Sequence, residues 1–292
     1  MENNKLKRQL IVPIITPFNE DESINYNELQ RFTAHLLNQG ADGIYAVGSS
    51  SECFLLSDEE RKSILEAVVE ASGGKTVIAH VGAVGTGRSV GFAEHAAKIG
   101  ASGISSVPPF YFKYSFEQIR KYYWDLADAT DLPLMMYYFP GNTGGSMSAG
   151  QIAEIMNGKD NIVSVKFTDS DFFAMQQVQY LTGKKVISGR DECFLSAIAV
   201  GADGAIGTTF NFMLGHFRKV LNLYEKGDTV GALCVQKKIN NIIAGLGGNL
   251  FDSVKTLVGH QGFKVGAGRR PFLPMSQDER KKIIDIYKNN TL

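Results

Sequence analysis

What this chain has little of narrows its function first. Its 292 residues include three cysteines, Cys53, Cys193 and Cys234, far apart and odd in number. They form neither a disulfide framework nor a CxxC zinc spacing, which suits a reducing cytoplasm. Charge of one sign is also missing. Thirty basic residues balance thirty acidic ones, so nothing draws a nucleic acid or a membrane surface as partner. There is no long apolar run. The N-terminal stretch MENNKLKRQLIVPIITPF sets basic residues before a short apolar segment that Pro13 and Pro17 interrupt, so neither a signal peptide nor a membrane span is expected. The five histidines, His35, His80, His95, His216 and His260, show no HxH or HExxH spacing, which leaves metal catalysis unsupported. No GxGxxG follows a first strand, and GAVGTGRSVG at Gly82–Gly91 has the wrong spacing for a dinucleotide loop. No cofactor is called for. A small-molecule enzyme fits the balance that remains.

Short apolar runs alternate with longer amphipathic segments. Strands are expected at Leu10–Ile15, Gly43–Val47, Val77–Val81, Gly103–Val107, Leu134–Tyr138, Ile162–Phe167, Lys185–Ser188 and Gly204–Ile206. Helical spacing lies between them, as at Ile64, Leu65, Val68 and Val69, and capping boxes are expected at Ser57 with Glu60 and Ser115 with Gln118. One joint recurs: GADG at Gly40–Gly43, GASG at Gly100–Gly103 and GADG at Gly201–Gly204. Glycine suits a helix C-cap before a turn into a sheet, so a repeated joint points to a repeated βα unit. About eight such units match a (β/α)8 TIM barrel, with an open doubly wound sheet as the other possibility. Residues 1–227 are read as the barrel and 228–292 as a helical extension packed on it, with helices at Thr229–Leu246, Phe251–Val258 and Gln277–Tyr287.

The sixth strand, IVSVKF, carries a lysine among apolar neighbours. Strand side chains alternate, so Val163, Val165 and Phe167 share one face while Ile162, Ser164, Lys166 and Thr168 share the other. On a barrel strand the apolar face packs against helices. That turns Lys166 inward near the C-terminal strand end, where active sites of this architecture gather. Strand lysines are commonly solvated, but a desolvated ammonium loses its proton more readily, and the neutral amine attacks carbonyls.

Other strand ends add chemistry. GSSSE brings Ser49, Ser50 and Ser51, either an anion-holding set of hydroxyls and N–H groups or ordinary loop residues. LMMYYFPG brings Tyr137 or Tyr138 to the rim, as a proton relay or as a core aromatic. SGRDE brings Asp191 and Glu192, an N-cap or a pair of polyol acceptors. GTTFN brings the hydroxyls of Thr208 and Thr209. His80 is read as a core residue, and the basic stretch GFKVGAGRRPF (Gly262–Phe272) as a loop within the extension rather than a phosphate site.

In this order the residues resemble the pyruvate-dependent class I aldolase family of dihydrodipicolinate synthase and N-acetylneuraminate lyase, over nearly the whole chain. The likeness is carried by TPF (Thr16–Phe18), GSSSE (Gly48–Glu52), HVG (His80–Gly82), PPFYF (Pro108–Phe112), the Tyr137–Pro140 segment, Lys166 with Thr168, and GADGAIGTTFN (Gly201–Asn211). The resemblance implies a Schiff base on Lys166, proton relay by Tyr137 with help from the Ser49 hydroxyl, and a substrate carboxylate held by Ser49 and Ser50. It places Thr168 at the substrate as well. It also implies a homotetramer in which Tyr111 lies near the active site of a neighbouring subunit, and no metal or other cofactor.

Within the family the lyase branch is the nearer match. Gly189, Asp191 and Glu192 fit the Gly-x-Asp-Glu pattern that binds the polyol tail of sialic acid there, and Thr208 supplies a further hydroxyl. The synthases carry Pro-x-Arg-Thr where this chain has Pro140-Gly141-Asn142-Thr143, and asparagine supplies no guanidinium fork. The expected reaction is reversible cleavage of N-acetylneuraminate to N-acetylmannosamine and pyruvate. The alternatives are an aldolase for another 2-keto-3-deoxy sugar acid, a dihydrodipicolinate synthase and, more distantly, a non-catalytic sugar-acid-binding protein. Ser51 in place of glycine, Tyr138 in place of asparagine and the added charge of Arg190 depart from the family pattern.

Overall fold

The computed structural model describes residues 8–292, so the basic Lys5 and Lys7 of the N-terminal reading lie outside the described residues. Eight strands close in chain order into a barrel. They are β1 (Gln9–Pro13), β2 (Gly43–Ala46), β3 (Val77–His80), β4 (Gly103–Ser106), β5 (Leu134–Tyr138), β6 (Ile162–Phe167), β7 (Lys185–Ser188) and β8 (Gly204–Ile206). Helices follow in alternation: α1 (Tyr26–Asn38), α2 (Asp58–Ala71), α3 (Thr86–Lys98), α4 (Phe116–Ala129), α5 (Pro140–Thr143), α6 (Ala149–Asn157), α7 (Phe172–Thr182), α8 (Phe194–Ala199) and α9 (Phe210–Glu225). After them come α10 (Thr229–Gly245), α11 (Leu250–His260) and α12 (Gln277–Asn289). The ladders from β3 through β8, and that between β8 and β1, are parallel. This is the (β/α)8 barrel that the alternating pattern predicts.

The last four strands match their expected bounds, whereas β1 to β4 stop one or two residues early. The reason is that burial runs past the regularly paired residues, with the Ile14 and Val81 N–H groups still reaching the Tyr45 and Ser105 carbonyls. Ile14, Ile15, Val47, Val81 and Val107 are all buried past their strand ends, and Val47 has already turned to φ +56. Both expected capping boxes form, at Ser57 with Glu60 and Ser115 with Gln118. At the three recurrent joints Gly40, Gly100 and Gly201 adopt φ +91, +82 and +107. The alanine that follows each one donates its N–H back to the helix, Ala41 to Leu36, Ala101 to Ala96 and Ala202 to Ala197, which is the Schellman closure. The second glycine has a separate reason. A Cβ at Gly204 would lie 2.1 Å from the Gln9 carbonyl oxygen, and one at Gly103 would lie 2.9 Å from that of Pro133.

The chain forms two compact units, one from the chain up to Ile11 with Thr76–Ile206, the other from Val12–Lys75 with Gly207–Leu292. In the first, Leu10, Ile104, Leu134, Val165 and Ile198 are buried. Along β6 the two-residue alternation needs one correction. Val163, expected against the helices, is 41 % exposed, because at the start of the strand it lines a cavity of about 440 Å³ with Ile11, Ile78 and Ile187. In the second unit α9 is kinked at Met213 (φ −136, ψ 35). The carbonyl of Phe212 beside that kink accepts hydrogen bonds from the Gln261 side chain at 2.7 Å and the Tyr287 hydroxyl at 3.2 Å, so segments following α10 satisfy the group the kink frees. Among the described residues no helix is long and apolar enough to cross a membrane.

Candidate active site

In the first unit, the β5–β6 ladder pairs Tyr137 with Lys166. Both are buried, at 3 % and 5 % exposure, and the Lys166 Nζ lies 4.0 Å from the centre of the Tyr137 ring. Tyr137 stacks at 5.7 Å on Phe139 and meets His80 edge-on at 6.2 Å. His80 itself is buried and its Nε2 accepts a hydrogen bond from the Val107 N–H at 3.4 Å. The neighbouring tyrosine goes elsewhere. Tyr138 packs on Phe167 at 5.0 Å, and its hydroxyl donates to the Met147 carbonyl at 3.3 Å. Burial pushes the Tyr138 phenol above its ordinary pKa. Of the two tyrosines at the strand end, Tyr137 is therefore the one beside the lysine.

Thr168 follows β6 directly. Its N–H donates to the Tyr138 carbonyl at 2.9 Å, and its buried hydroxyl has no hydrogen-bond partner among the described residues. Gly189 creates the room for it, since a Cβ there would lie 1.9 Å from Thr168 Oγ1. Asp191 and Glu192 open a 3-10 turn after β7. Asp191 is buried, whereas Glu192 is half-exposed and paired with Arg190 at 3.3 Å. The charge of Arg190 is thus partly matched within its own turn. Tyr111 is 86 % exposed and sits at φ +80, a left-handed conformation uncommon for a bulky residue.

In the second unit, Ser49–Ser51 form one 3-10 turn. The N–H groups of Ser51, Glu52 and Cys53 bond within the turn, leaving those of Ser49 and Ser50 outside its own hydrogen bonding. The Ser50 hydroxyl lies 2.7 Å from that of Thr208. Ser51, the residue that replaces a family glycine, uses its hydroxyl on the Ile14 carbonyl at 2.5 Å, and Thr16 of the TPF motif donates to the Ser51 carbonyl at 2.8 Å. Asn211 ties the neighbouring segment down through Pro13, Ile15 and Thr208. Two hydroxyls and two N–H groups at such a turn suit a carboxylate.

One pair escaped the sequence reading. Glu52, at the end of GSSSE, is 2.7 Å from Lys255 of α11, with both side chains fully buried. Burial pushes the Lys255 ammonium below its ordinary pKa, and the Glu52 carboxylate opposes that. The basic stretch Gly262–Phe272 is occupied by its own partners. Arg269 forks onto Glu60 at 2.7 and 2.8 Å, and Arg270 meets Glu22 at 2.7 Å. Among the described residues no group of three or more His, Cys, Asp or Glu side chains is placed to hold a metal ion.

The model of the dihydrodipicolinate synthetase family matches residues 6–290. CdNal from Clostridium difficile, solved in complex with mannosamine, has a TM-score of 0.93 at 31 % identity, covering 97 % of this chain and 99 % of that one. N-acetylneuraminate lyase from Fusobacterium nucleatum has a TM-score of 0.92 at 29 % identity, covering 98 % and 100 %. A dihydrodipicolinate synthase has a TM-score of 0.91 at 27 % identity, covering 97 % and 98 %. Lyases and synthases thus both stand among its neighbours, and the chain belongs to the dihydrodipicolinate synthetase family of class I aldolases.

Proposed function

We propose that this protein cleaves N-acetylneuraminate reversibly to N-acetylmannosamine and pyruvate through a Schiff base on Lys166. The observation that carries the reading is the buried Lys166 amino group beside the Tyr137 ring. The neutral Lys166 amine attacks the C2 ketone of the open-chain sugar acid, and loss of water leaves an iminium. Tyr137 takes the proton of the C4 hydroxyl as the C3–C4 bond breaks, and the bonding electrons pass into the iminium. N-acetylmannosamine departs, the enamine is protonated at C3, and water releases pyruvate. Ser49 and Ser50 hold the substrate carboxylate, with Ser49 assisting the proton relay. Thr168, Gly189, Asp191, Glu192 and Thr208 receive the remainder of the sugar.

What supports a sugar acid over the synthase reaction is Asn142, exposed in α5, where the synthases of the resemblance carry a carboxylate-binding arginine. An aldolase for another 2-keto-3-deoxy sugar acid shares all of this chemistry, and a substrate panel separates it. The working state we propose is a homotetramer to which Tyr111 contributes across subunits. The three cysteines, with no disulfide among the described residues, fit a cytoplasmic setting.

The test is pyruvate release from N-acetylneuraminate, with Lys166→Arg alongside. Release by the wild type and none by the variant supports lyase and nucleophile together, since a guanidinium forms no imine. Equal release by the variant ends the Schiff-base assignment. No release by the wild type, with a borohydride-trapped pyruvate adduct, keeps the aldolase and discards the sugar.

A further inference from the structure

The Glu52–Lys255 pair has no part in the chemistry above, yet it lies directly behind the serine turn. Glu52 is the residue that closes the turn, and its backbone sits at φ +58 while Val47, just before the turn, sits at φ +56. Non-glycine residues hold such conformations only when their surroundings impose them. At Glu52 those surroundings are visible. Lys255 Nζ reaches Glu52 Oε1 at 2.7 Å, and the Arg269 N–H donates to Glu52 Oε2, also at 2.7 Å. Lys255 is itself located by the Ala267 carbonyl at 2.8 Å and by the Phe18 ring, whose centre is 4.1 Å from the ammonium. Both oxygens of the carboxylate are therefore gripped by the C-terminal part of the chain. The other flank of the turn is tied by Thr16 and Ser51.

A fully buried ion pair is weak support for stability, because apolar replacements of similar volume are often neutral or better. Its particular property is geometry, since two fixed charges hold one backbone conformation. We propose that Glu52 and Lys255 are positioning residues, whose ion pair holds the Ser49–Ser51 turn in the conformation that binds the substrate carboxylate. This rests on the proposed roles of Lys166 as nucleophile and of Ser49 and Ser50 as carboxylate holders.

The experiment reads borohydride-trapped pyruvate per chain by mass spectrometry, across pyruvate concentrations. It compares the wild type with Lys166→Arg, Glu52→Gln, Ser50→Ala, Ser50→Ala/Glu52→Gln and the neutral pair Glu52→Gln/Lys255→Met. Expected are a wild-type adduct and none in Lys166→Arg. Glu52→Gln and the neutral pair should need about tenfold more pyruvate for half-maximal trapping, with the same maximum. In the Ser50→Ala background, Glu52→Gln should add less than about twofold, because both changes act through one contact.

A half-saturating concentration that stays at the wild-type value in Glu52→Gln and in the neutral pair overturns the proposal. So does a full, additive penalty in the Ser50→Ala background, which a merely structural loss would produce. If the neutral pair fails to fold, Glu52→Gln decides alone, since its carboxamide keeps the shape and can still accept hydrogen bonds. Failure of both to fold makes the pair purely structural and likewise overturns the positioning role. Absence of a wild-type adduct is a different failure. It removes the reading of Lys166, and the positioning role with it.

Discussion

Tyr137 and Lys166 are register partners on β5 and β6, with the lysine Nζ 4.0 Å from the centre of the tyrosine ring. The ring and the hydroxyl of Tyr137 therefore serve different ends. The ring packs against the lysine side chain, and the hydroxyl carries the proposed proton transfer.

Tyr137→Phe separates the two. The ring and its stack on Phe139 remain, so the fold should be unchanged by circular dichroism. Turnover should fall about 10²- to 10⁴-fold, the range for a lost general acid–base group, while pyruvate is still trapped on Lys166. Wild-type kcat in this variant would remove Tyr137 from the proton relay.

Asp191→Ala and Glu192→Ala should act on the sugar and spare pyruvate. Each loses a charged acceptor, so KM for the sugar acid should rise about tenfold or more with kcat little changed. Glu192→Ala also strips Arg190 of its partner at 3.3 Å. Unaltered KM in both variants would remove the polyol role.

Gly189→Ala tests the space reserved for Thr168. The added Cβ would lie 1.9 Å from Thr168 Oγ1 and 3.2 Å from its Cα, so backbone as well as side chain must shift. Overpacking of this kind costs about 1–3 kcal/mol. The denaturation midpoint should drop and substrate affinity with it; a midpoint within error of the wild type would show that the strand ends yield freely.

Stability should decline with acid in two steps. His216 is held below its ordinary pKa of 6.5, chiefly by burial. The unfolded chain then binds the proton first, and stability falls as the pH drops below 6.5. Glu60 is held below its ordinary 4.5, chiefly by the Arg269 hydrogen bonds. Its contribution is present above 4.5 and is lost as the pH falls through the lower folded value. Urea midpoints across this range should show both declines, with His216→Gln flattening the first and Glu60→Gln the second. A midpoint constant from pH 7 to pH 5 in the wild type would count against the histidine step.

Local patterns in the chain were enough to favour the barrel and to give the address of its lysine. Alternation of two-residue and helical periods, glycines at one recurrent joint and serine caps are local properties, each set by a few neighbouring residues. Lys166 in β6 could therefore be located without a fold in hand, as could the serine turn after β2. The residues at the end of β5 left Tyr137 and Tyr138 open, the resemblance pointed to Tyr137, and the fold sets that one beside the lysine. Tyr137 and Tyr138 are adjacent and chemically alike, and in the fold the register of β5 on β6 separates them. The tertiary structure also decided that Glu52 is ion-paired with Lys255 and accepts a hydrogen bond from the Arg269 backbone N–H, from distant stretches that read as an ordinary helix and a basic loop. Hydrophobic periods report where a residue is buried. Which buried charge meets which depends on chain segments brought together only by folding.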